Sequence, residues 1–392
     1  MAVNLTNADK ALKTLYLDVV SNQLNEKVNP FFAQIKQSTN DVCGKEIKKL
    51  AIYGVNGGIG AGTEEGELPS ANGNNYEEFT LPLKNLYGTI EISDKAVRAS
   101  ENSSGAFVNL LTAEMEGLIN ASTFNFGRML FGDGSGVLAK VSSFADEIIS
   151  VDSVRNLVEG MVVDFRDGTS KELIDGLTGR RITYIDRVAK MIKISGTNTP
   201  DLMRDGAILT IQGSFGNEIT GLGKIFDPER CILYGVDRGN KEYLNPYIKE
   251  NAGKITESMI QTTLDTIEEA SGSSVNFIVC SWGVRRALIN LFATTNRVVN
   301  TLELEGGFKA LSYNGIPIVA DRFCPEGYMY FLNTNDFTLH QLCDWQWLAD
   351  DDGRVLKQIP GKPVYTATLV KYADLLCSRP NGQGLIRGII EA

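Results

Sequence analysis

The stretch from Gly105 to Phe131 places Phe107, Leu111, Met115, Ile119, Phe126 and Leu130 near helical spacing. Asn102, Ser103 and Ser104 can cap its start, and the run Gly132-Asp133-Gly134-Ser135-Gly136 ends it. At about 1.5 Å per residue such a helix is about 40 Å long, comparable to the diameter of a small domain. A chain with one helix of that length folds along it rather than around it.

The segments before this helix have little to bury by themselves. Residues 7 to 24 place Leu12, Leu15, Val19 and Leu24 on one helical face with Asn7 as a cap, an amphipathic helix that needs a partner surface. Past Asn29-Pro30 the chain passes through a short strand, KLAIYG, into the glycine-rich GVNGGIGAG and the acidic EEGELP, which read as a mobile arm. From Tyr76 to Ser93, YEEFTLPL and TIEIS read as two strands of a long projecting hairpin, with its turn near Pro82, Asn85 and Gly88.

Beyond the helix, Val137 to Phe226 turns to β, with four short strands in GMVVDFRDG, RRITYIDR, KMIKISG and GAILTIQGS, a small barrel or sandwich. From Gly253, helix (ITESMIQTTLDTIEEAS), strand (VNFIVC), helix (WGVRRALINLFATT) and strand (IPIVAD) alternate, a mixed α/β layer. The remainder is a run of strands closing the main domain. The class is α+β.

The chemistry the sequence offers is sparse. The chain has 392 residues, with 38 Lys and Arg against 48 Asp and Glu for a net charge of −10, which disfavours a nucleic-acid reader. No apolar run is long enough to cross a membrane as a helix, and the start MAVNLTNADKALKTL lacks a secretory pattern. GVNGGIGAG follows a strand as a dinucleotide loop does, but no frame gives G-x-G-x-x-G, and Glu64, Glu65 and Glu67 stand where a phosphate needs amides. His340, the one histidine, reads as a strand-surface residue in FTLHQLC. Asp350, Asp351 and Asp352 before Gly353, and Asp133 before Gly134, lack the spacing of a calcium loop and read as turns. Arg285 and Arg286 read as a solvated face or one side of an intersubunit salt bridge. Cys43, Cys231, Cys280, Cys324, Cys343 and Cys377 have no zinc-type spacing and read as reduced, mostly buried thiols. No catalytic, cofactor-binding or metal residue is expected. A large chain with projecting parts and no site is expected to touch copies of itself.

Two stretches resemble the major capsid proteins of tailed bacteriophages with the HK97-type fold. NLYGTIEISDKAVRASENSSGAFVNLLTAEMEGLINASTFNFGRMLFGDGSG looks like that family's extended loop returning into its spine helix. YNGIPIVADRFCPEGYMYFLNTNDFTLHQL is similar to the strands joining its axial domain to its peripheral one. The resemblance implies an N-terminal arm at 1–66, an extended β-hairpin loop at 67–93, and the spine helix with the first part of the peripheral domain at 94–136. It further implies an inserted barrel-like β domain at 137–226, a return at 227–252, an axial domain at 253–320 and the rest of the peripheral domain at 321–392. The implied function is assembly as pentamers and hexamers into an icosahedral shell around double-stranded DNA, with expansion on maturation. Partners would be other copies, a scaffold protein, a portal and a decoration protein, with DNA confined rather than bound. The place would be the virion, after assembly in the host bacterial cytoplasm. One family member crosslinks through a lysine on the extended loop, and Lys84 is the position that would serve here. An encapsulin-like nanocompartment shares the fold and is the alternative; an enzyme with an unrecognised site is a more distant one.

Overall fold

A computed structural model describes residues 29–39, 46–95, 104–145, 148–196, 203–229, 232–294, 301–303, 309–349, 353 and 355–392. The amphipathic stretch 7–24, Cys43, Cys231 and Asp350 to Asp352 lie outside these residues. The chain divides into two compact units, one made of Met1–Leu83, Ile225–Leu356 and Leu369–Ala392, the other of Lys84–Lys224 and Lys357–Thr368.

In the first unit, Asn29 caps the short helix α1 (Pro30–Gln34), its Oδ1 accepting from Phe32 N at 3.0 Å, with Pro30 in the first turn where its missing N–H costs nothing. Phe31 and Phe32 are buried, and Phe31 meets Phe337 edge-on at 5.4 Å. Strand β1 (Lys36–Ser38) follows at once. Strands β2 (Glu46–Tyr53) and β3 (Asn75–Pro82) then pair antiparallel over their whole lengths, Glu46 opposite Pro82 and Tyr53 opposite Asn75. This corrects two expectations. The arm is not free to residue 66, because the chain is docked from Asn29 and is part of a ladder by Glu46. The hairpin is also not 76–93: its partner strands are 46–53 and 75–82, and GVNGGIGAG is part of its tip. The physical reason lies at Pro82 and Leu83. One residue separates β3 from β4 (Lys84–Ser93), too little for a reversal, and no Asn-Gly or Asp-Gly is present to supply one.

In the second unit, β4 is followed by the helix α2 (Ser104–Met129), 26 residues long. Met115, Ile119, Phe126 and Met129 are buried along one side, as the sequence spacing requires. Gly88 of β4 lies so close to this helix that a Cβ there would sit 2.8 Å from Leu118. β4 pairs with β19 (Val364–Cys377), whose first residues belong to the same unit, and Asp94 N donates to Pro363 O at 2.9 Å.

The β block closes as a six-stranded barrel made of β5 (Val137–Ala145), β6 (Ile148–Val151), β7 (Val162–Arg166), β8 (Arg180–Asp186), β9 (Met191–Ile194) and β10 (Ile208–Ile211), in the order β10-β5-β6-β9-β8-β7. The first two strands, VLAKVSSFA and IISV, were not among the four expected, because short serine-rich strands carry weak alternation. Leu157, Val163, Phe165, Leu177, Ile149 and Ile192 fill the interior. Asp164, between Val163 and Phe165 and so on the other face of β7, is buried with its carboxylate accepting from Gly179 N at 2.8 Å and Gly213 N at 2.9 Å.

The first unit also holds a seven-stranded sheet. Its strands are β11 (Tyr247–Lys249), β12 (Phe277–Cys280), β13 (Thr301–Glu303), β14 (Lys309–Tyr313), β15 (Ile316–Ala320), β16 (Met329–Leu332) and β20 (Gly384–Ile386), in the order β11-β20-β16-β12-β15-β14-β13. Helices α3 (Glu257–Ser271) and α4 (Trp282–Thr294) bring Ile260, Ile267, Val284 and Leu288 into its core. β12 and β15 are parallel, which a crossover such as α4 makes possible. β16 and β20, which lie beyond the expected boundary at 320/321, are strands of this same sheet. Each residue of Met329–Leu332 is buried, so the run MYFL is a central strand covered on both faces.

A second sheet pairs β1 parallel to β17 (Phe337–Trp347), and β17 antiparallel to β19; the two-residue β18 (Lys357–Gln358) pairs with the start of β19. No described helix is long and apolar enough to cross a membrane.

Candidate assembly surface

The β2–β3 hairpin has a packed root and an unpacked tip. At the root, the inward residues Ile47, Phe79 and Leu81 are buried, and Thr80 N donates to Tyr234 O at 2.9 Å. Tyr234 holds a left-handed backbone (φ 51°), and its hydroxyl donates to Leu375 O at 3.1 Å while accepting from Cys377 N at 2.9 Å. Burial pushes the Tyr234 phenol well above its usual range, so it remains a donor throughout the accessible pH range.

Further out, Glu77 accepts from Lys241 Nζ at 2.7 Å and from Tyr243 Oη at 2.8 Å, and the Tyr243 ring stacks on Tyr53 with centroids 4.2 Å apart. These hydrogen bonds, from Lys241 first and Tyr243 second, hold the Glu77 carboxyl below its usual range. Desolvation, and then the Glu77 hydrogen bond, raise the Tyr243 phenol. For a depressed carboxylate, the stabilisation is present above the ordinary glutamate range and is lost as pH falls through the lowered value. The protection of residues 75–82 against hydrogen exchange, after allowance for the pH dependence of intrinsic exchange, is therefore expected to fall on acidification below the ordinary glutamate range, and Glu77→Gln is expected to flatten that dependence. An unchanged profile in the variant would show that this clamp does not secure the hairpin.

Beyond the clamp the hairpin carries exposed apolar side chains among the described residues. Leu50 and Ile52 on β2, and Val55, Ile59 and Leu68 in the connecting loop, are exposed, Ile59 to 76% and Leu68 to 91%. The loop 54–74 carries seven glycines and three glutamates with no lysine or arginine. Such a segment buries too little to offset its own ordering, and burying Val55, Ile59 and Leu68 on another surface is worth about 1.5 to 3 kcal/mol each. An exposed apolar group of this extent on a projecting element marks an interaction surface. The sequence contained the signal in KLAIY, where apolar residues fall on both faces of a two-stranded ribbon.

The residues singled out from the sequence are scattered. Lys84 is not at a hairpin turn: it opens β4, with Nζ donating to Gly216 O at 3.3 Å. His340 is buried at 2% exposure rather than on a strand surface, opposite Asp374, because β17 is covered on both faces over Phe337–Gln341. Asp133 makes the expected turn, its Oδ1 accepting from Ser135 N at 2.9 Å beside Gly134 at φ 82°. Arg285 lies over the Trp282 ring, and Arg286 Nε donates to Ala392 O at 2.6 Å. Of the described thiols, Cys280, Cys324 and Cys377 are buried and Cys343 is half-buried. Burial pushes the Cys280 thiol up to about 12. Lys371, which sequence reasoning passed over, is buried at 1% exposure beside Gln341 Oε1 at 2.7 Å and Asp344 Oδ1 at 2.6 Å; burial lowers its ammonium, and Asp344 opposes that shift. Bulges in β17 between Gln341 and Gln346 admit this pair to the ladder. Among the described residues no three His, Cys, Asp or Glu side chains group as metal ligands.

Residues 194–353 match the SU10 major capsid protein family, a span reaching from the last residue of β9 to the loop after β17. A subunit of the cyanophage A-1(L) capsid superposes on the chain with a TM-score of 0.56 at 12% identity, covering 93% of each chain. The fold is that of a phage major capsid protein. A Mycobacterium phage Bobi structure (TM-score 0.46, 9% identity, 94% of this chain and 92% of that one) and the holo-SrpI encapsulin complex from Synechococcus elongatus (TM-score 0.46, 9% identity, 95% of each) are more distant. No curated protein matches the sequence. Within this fold, the β2–β3 hairpin and its connecting loop hold a run of exposed apolar side chains.

Proposed function

We propose that this chain is the major capsid protein of a tailed phage, whose copies associate as pentamers and hexamers into an icosahedral shell around double-stranded DNA. The observation that carries the reading is the β2–β3 hairpin, clamped at its root and apolar at its tip, which another copy in a closed assembly would bury repeatedly. In this reading the extended loop is 46–82, α2 is the spine, and the β1-β17-β19 sheet is peripheral. The seven-stranded sheet with α3 and α4 is the axial domain. The barrel is an insertion, a role supported by its entry and exit lying side by side, Val137 opposite Thr210. The net charge of −10 suits a wall that confines DNA without gripping it. A scaffold, a portal and a decoration protein are the further partners, expansion on maturation is the conformational step, and the host cytoplasm is where assembly occurs.

The test is electron microscopy of the expressed protein, with and without candidate scaffold, across salt concentration. Closed shells, or rings of five and six, are expected. Monomers under every condition would sink the reading, and shells that fill with protein cargo instead of DNA would replace it with a nanocompartment.

A further inference from the structure

The charge of this acidic chain is unevenly placed. Residues 180–193 of the barrel carry five basic side chains against one acid, Asp186. Arg180 is committed to backbone carbonyls, Nε donating to Gly176 O at 2.8 Å and Nη1 to Ser195 O at 3.1 Å. The other four, Arg181, Arg187, Lys190 and Lys193, are exposed, and their side chains have no ion-pair or hydrogen-bond partner among the described residues. Their placement follows from the strand period: Ile182, Ile192 and Ile194 point into the barrel, so Arg181 and Lys193 point out. A register shift between Ile182 and Tyr184 leaves Thr183 and Tyr184 both exposed next to Lys193. The turn is preformed, with Asp186 Oδ1 accepting from Val188 N and Ala189 N at 2.9 Å and Lys190 at φ 54°, and it presents Val188 at 96% exposure. Glu159 accepts from Ile185 N at 3.3 Å and makes no ion pair with these cations.

We propose that the β8–β9 hairpin of the barrel is a docking surface for the acidic tip of the β2–β3 hairpin of a second copy of this chain. The inference rests on the shell reading and adds which surfaces meet. The tip has the complementary chemistry: Glu64, Glu65 and Glu67 are exposed and unpartnered among the described residues, beside the exposed Leu68, and loop 54–74 holds no cation. Glutamates meet the four cations, and Leu68 and Val188 supply apolar contact. Each copy carries one donor and one acceptor surface, the arrangement a heterologous contact needs to propagate and close. Nucleic acid is the weaker candidate. Four cations around one exposed tyrosine give a small phosphate footprint without a stacking platform.

The experiment joins charge reversal with crosslinking. One variant carries Arg181→Glu, Arg187→Glu, Lys190→Glu and Lys193→Glu; a second carries Glu64→Lys, Glu65→Lys and Glu67→Lys; a third combines both sets. Each single set is expected to raise the protein concentration needed for shell assembly roughly ten-fold at low salt, with the difference shrinking as salt rises, and the combined set to restore assembly. All seven positions are exposed, so circular dichroism is expected to show unchanged folds. On wild-type shells, a zero-length carbodiimide is expected to join Lys190 or Lys193 to the 64–67 peptide between copies. Shells that form normally without this crosslink, or reversals that do not rescue one another, overturn the contact while leaving the shell reading standing. Absence of wild-type shells sinks both. A barrel reversal that leaves assembly unchanged and only reduces co-purifying nucleic acid would overturn the contact in favour of a polyanion site.

Discussion

Replacing residues 54–74 with Asn-Gly is expected to abolish shell formation while the remaining chain folds as before. The register makes the replacement feasible: Tyr53 and Asn75 are directly opposed, so a two-residue turn can close the ladder between them. The root is untouched, because Ile47, Phe79, Leu81 and the Glu77, Lys241 and Tyr243 clamp lie below the cut. What is lost is the apolar set Val55, Ile59 and Leu68 with the acidic tip. At about 1.5 to 3 kcal/mol for each buried side chain, that is several kcal/mol for every contact a copy makes, repeated around the shell. The measurement is sedimentation and electron microscopy beside a thermal melt. A variant that melts as wild type and still forms closed shells would remove the hairpin tip from the assembly mechanism.

Arg128→Ala is expected to destabilise the second unit by about 3 to 5 kcal/mol. Arg128, in the last turn of α2, donates to both carboxylate oxygens of Glu218, at 2.9 and 2.5 Å, and also to Asn125 Oδ1 at 2.6 Å. Both partners of the pair are buried, at 3% and 2% exposure. Removing the guanidinium leaves a carboxylate out of water with no counter-charge, which costs far more than the pair contributes when intact. The site is held rigidly around the pair: Leu222 N donates to Leu130 O at 2.8 Å, and a Cβ on Gly221 would lie 2.3 Å from Met129 O. The expected fall in melting temperature is about 10 °C. The double variant Arg128→Met with Glu218→Met is expected to recover most of it, since no buried charge is then stranded. A loss in the double variant as large as in the single one would show that packing, not the unpaired charge, sets the cost.

Helices and central strands were legible because their signals are local. The spacing of Met115, Ile119 and Phe126 specifies α2, and the runs FIVC and MYFL specify buried strands. The barrel was legible as a β block but not as a closed six-strand order, since closure depends on pairing β10 with both β5 and β7 across more than forty residues of sequence. The hairpin was misplaced for the same reason. Its loop of 21 residues, 54–74, exceeds ordinary hairpin connections, and the adjacent strand at 84–93 offered a nearer partner that geometry forbids. His340 reads as a surface residue only if β17 has one free face there, and both faces are covered over Phe337–Gln341.

The sequence by itself determined the element types, the long helix, the absence of recognisable catalytic motifs and an acidic balance unsuited to gripping DNA, because each follows from spacing, composition or charge within a short window. Tertiary structure alone decided which strands pair and which carboxylates are clamped. It also decided that Leu50 and Ile52 of KLAIY, and Val55, Ile59 and Leu68 in the loop after it, stand exposed while four barrel cations find no partner among the described residues. Those outcomes depend on long-range register, where a strand commits its inward face to one neighbour and leaves the other face for whatever comes next.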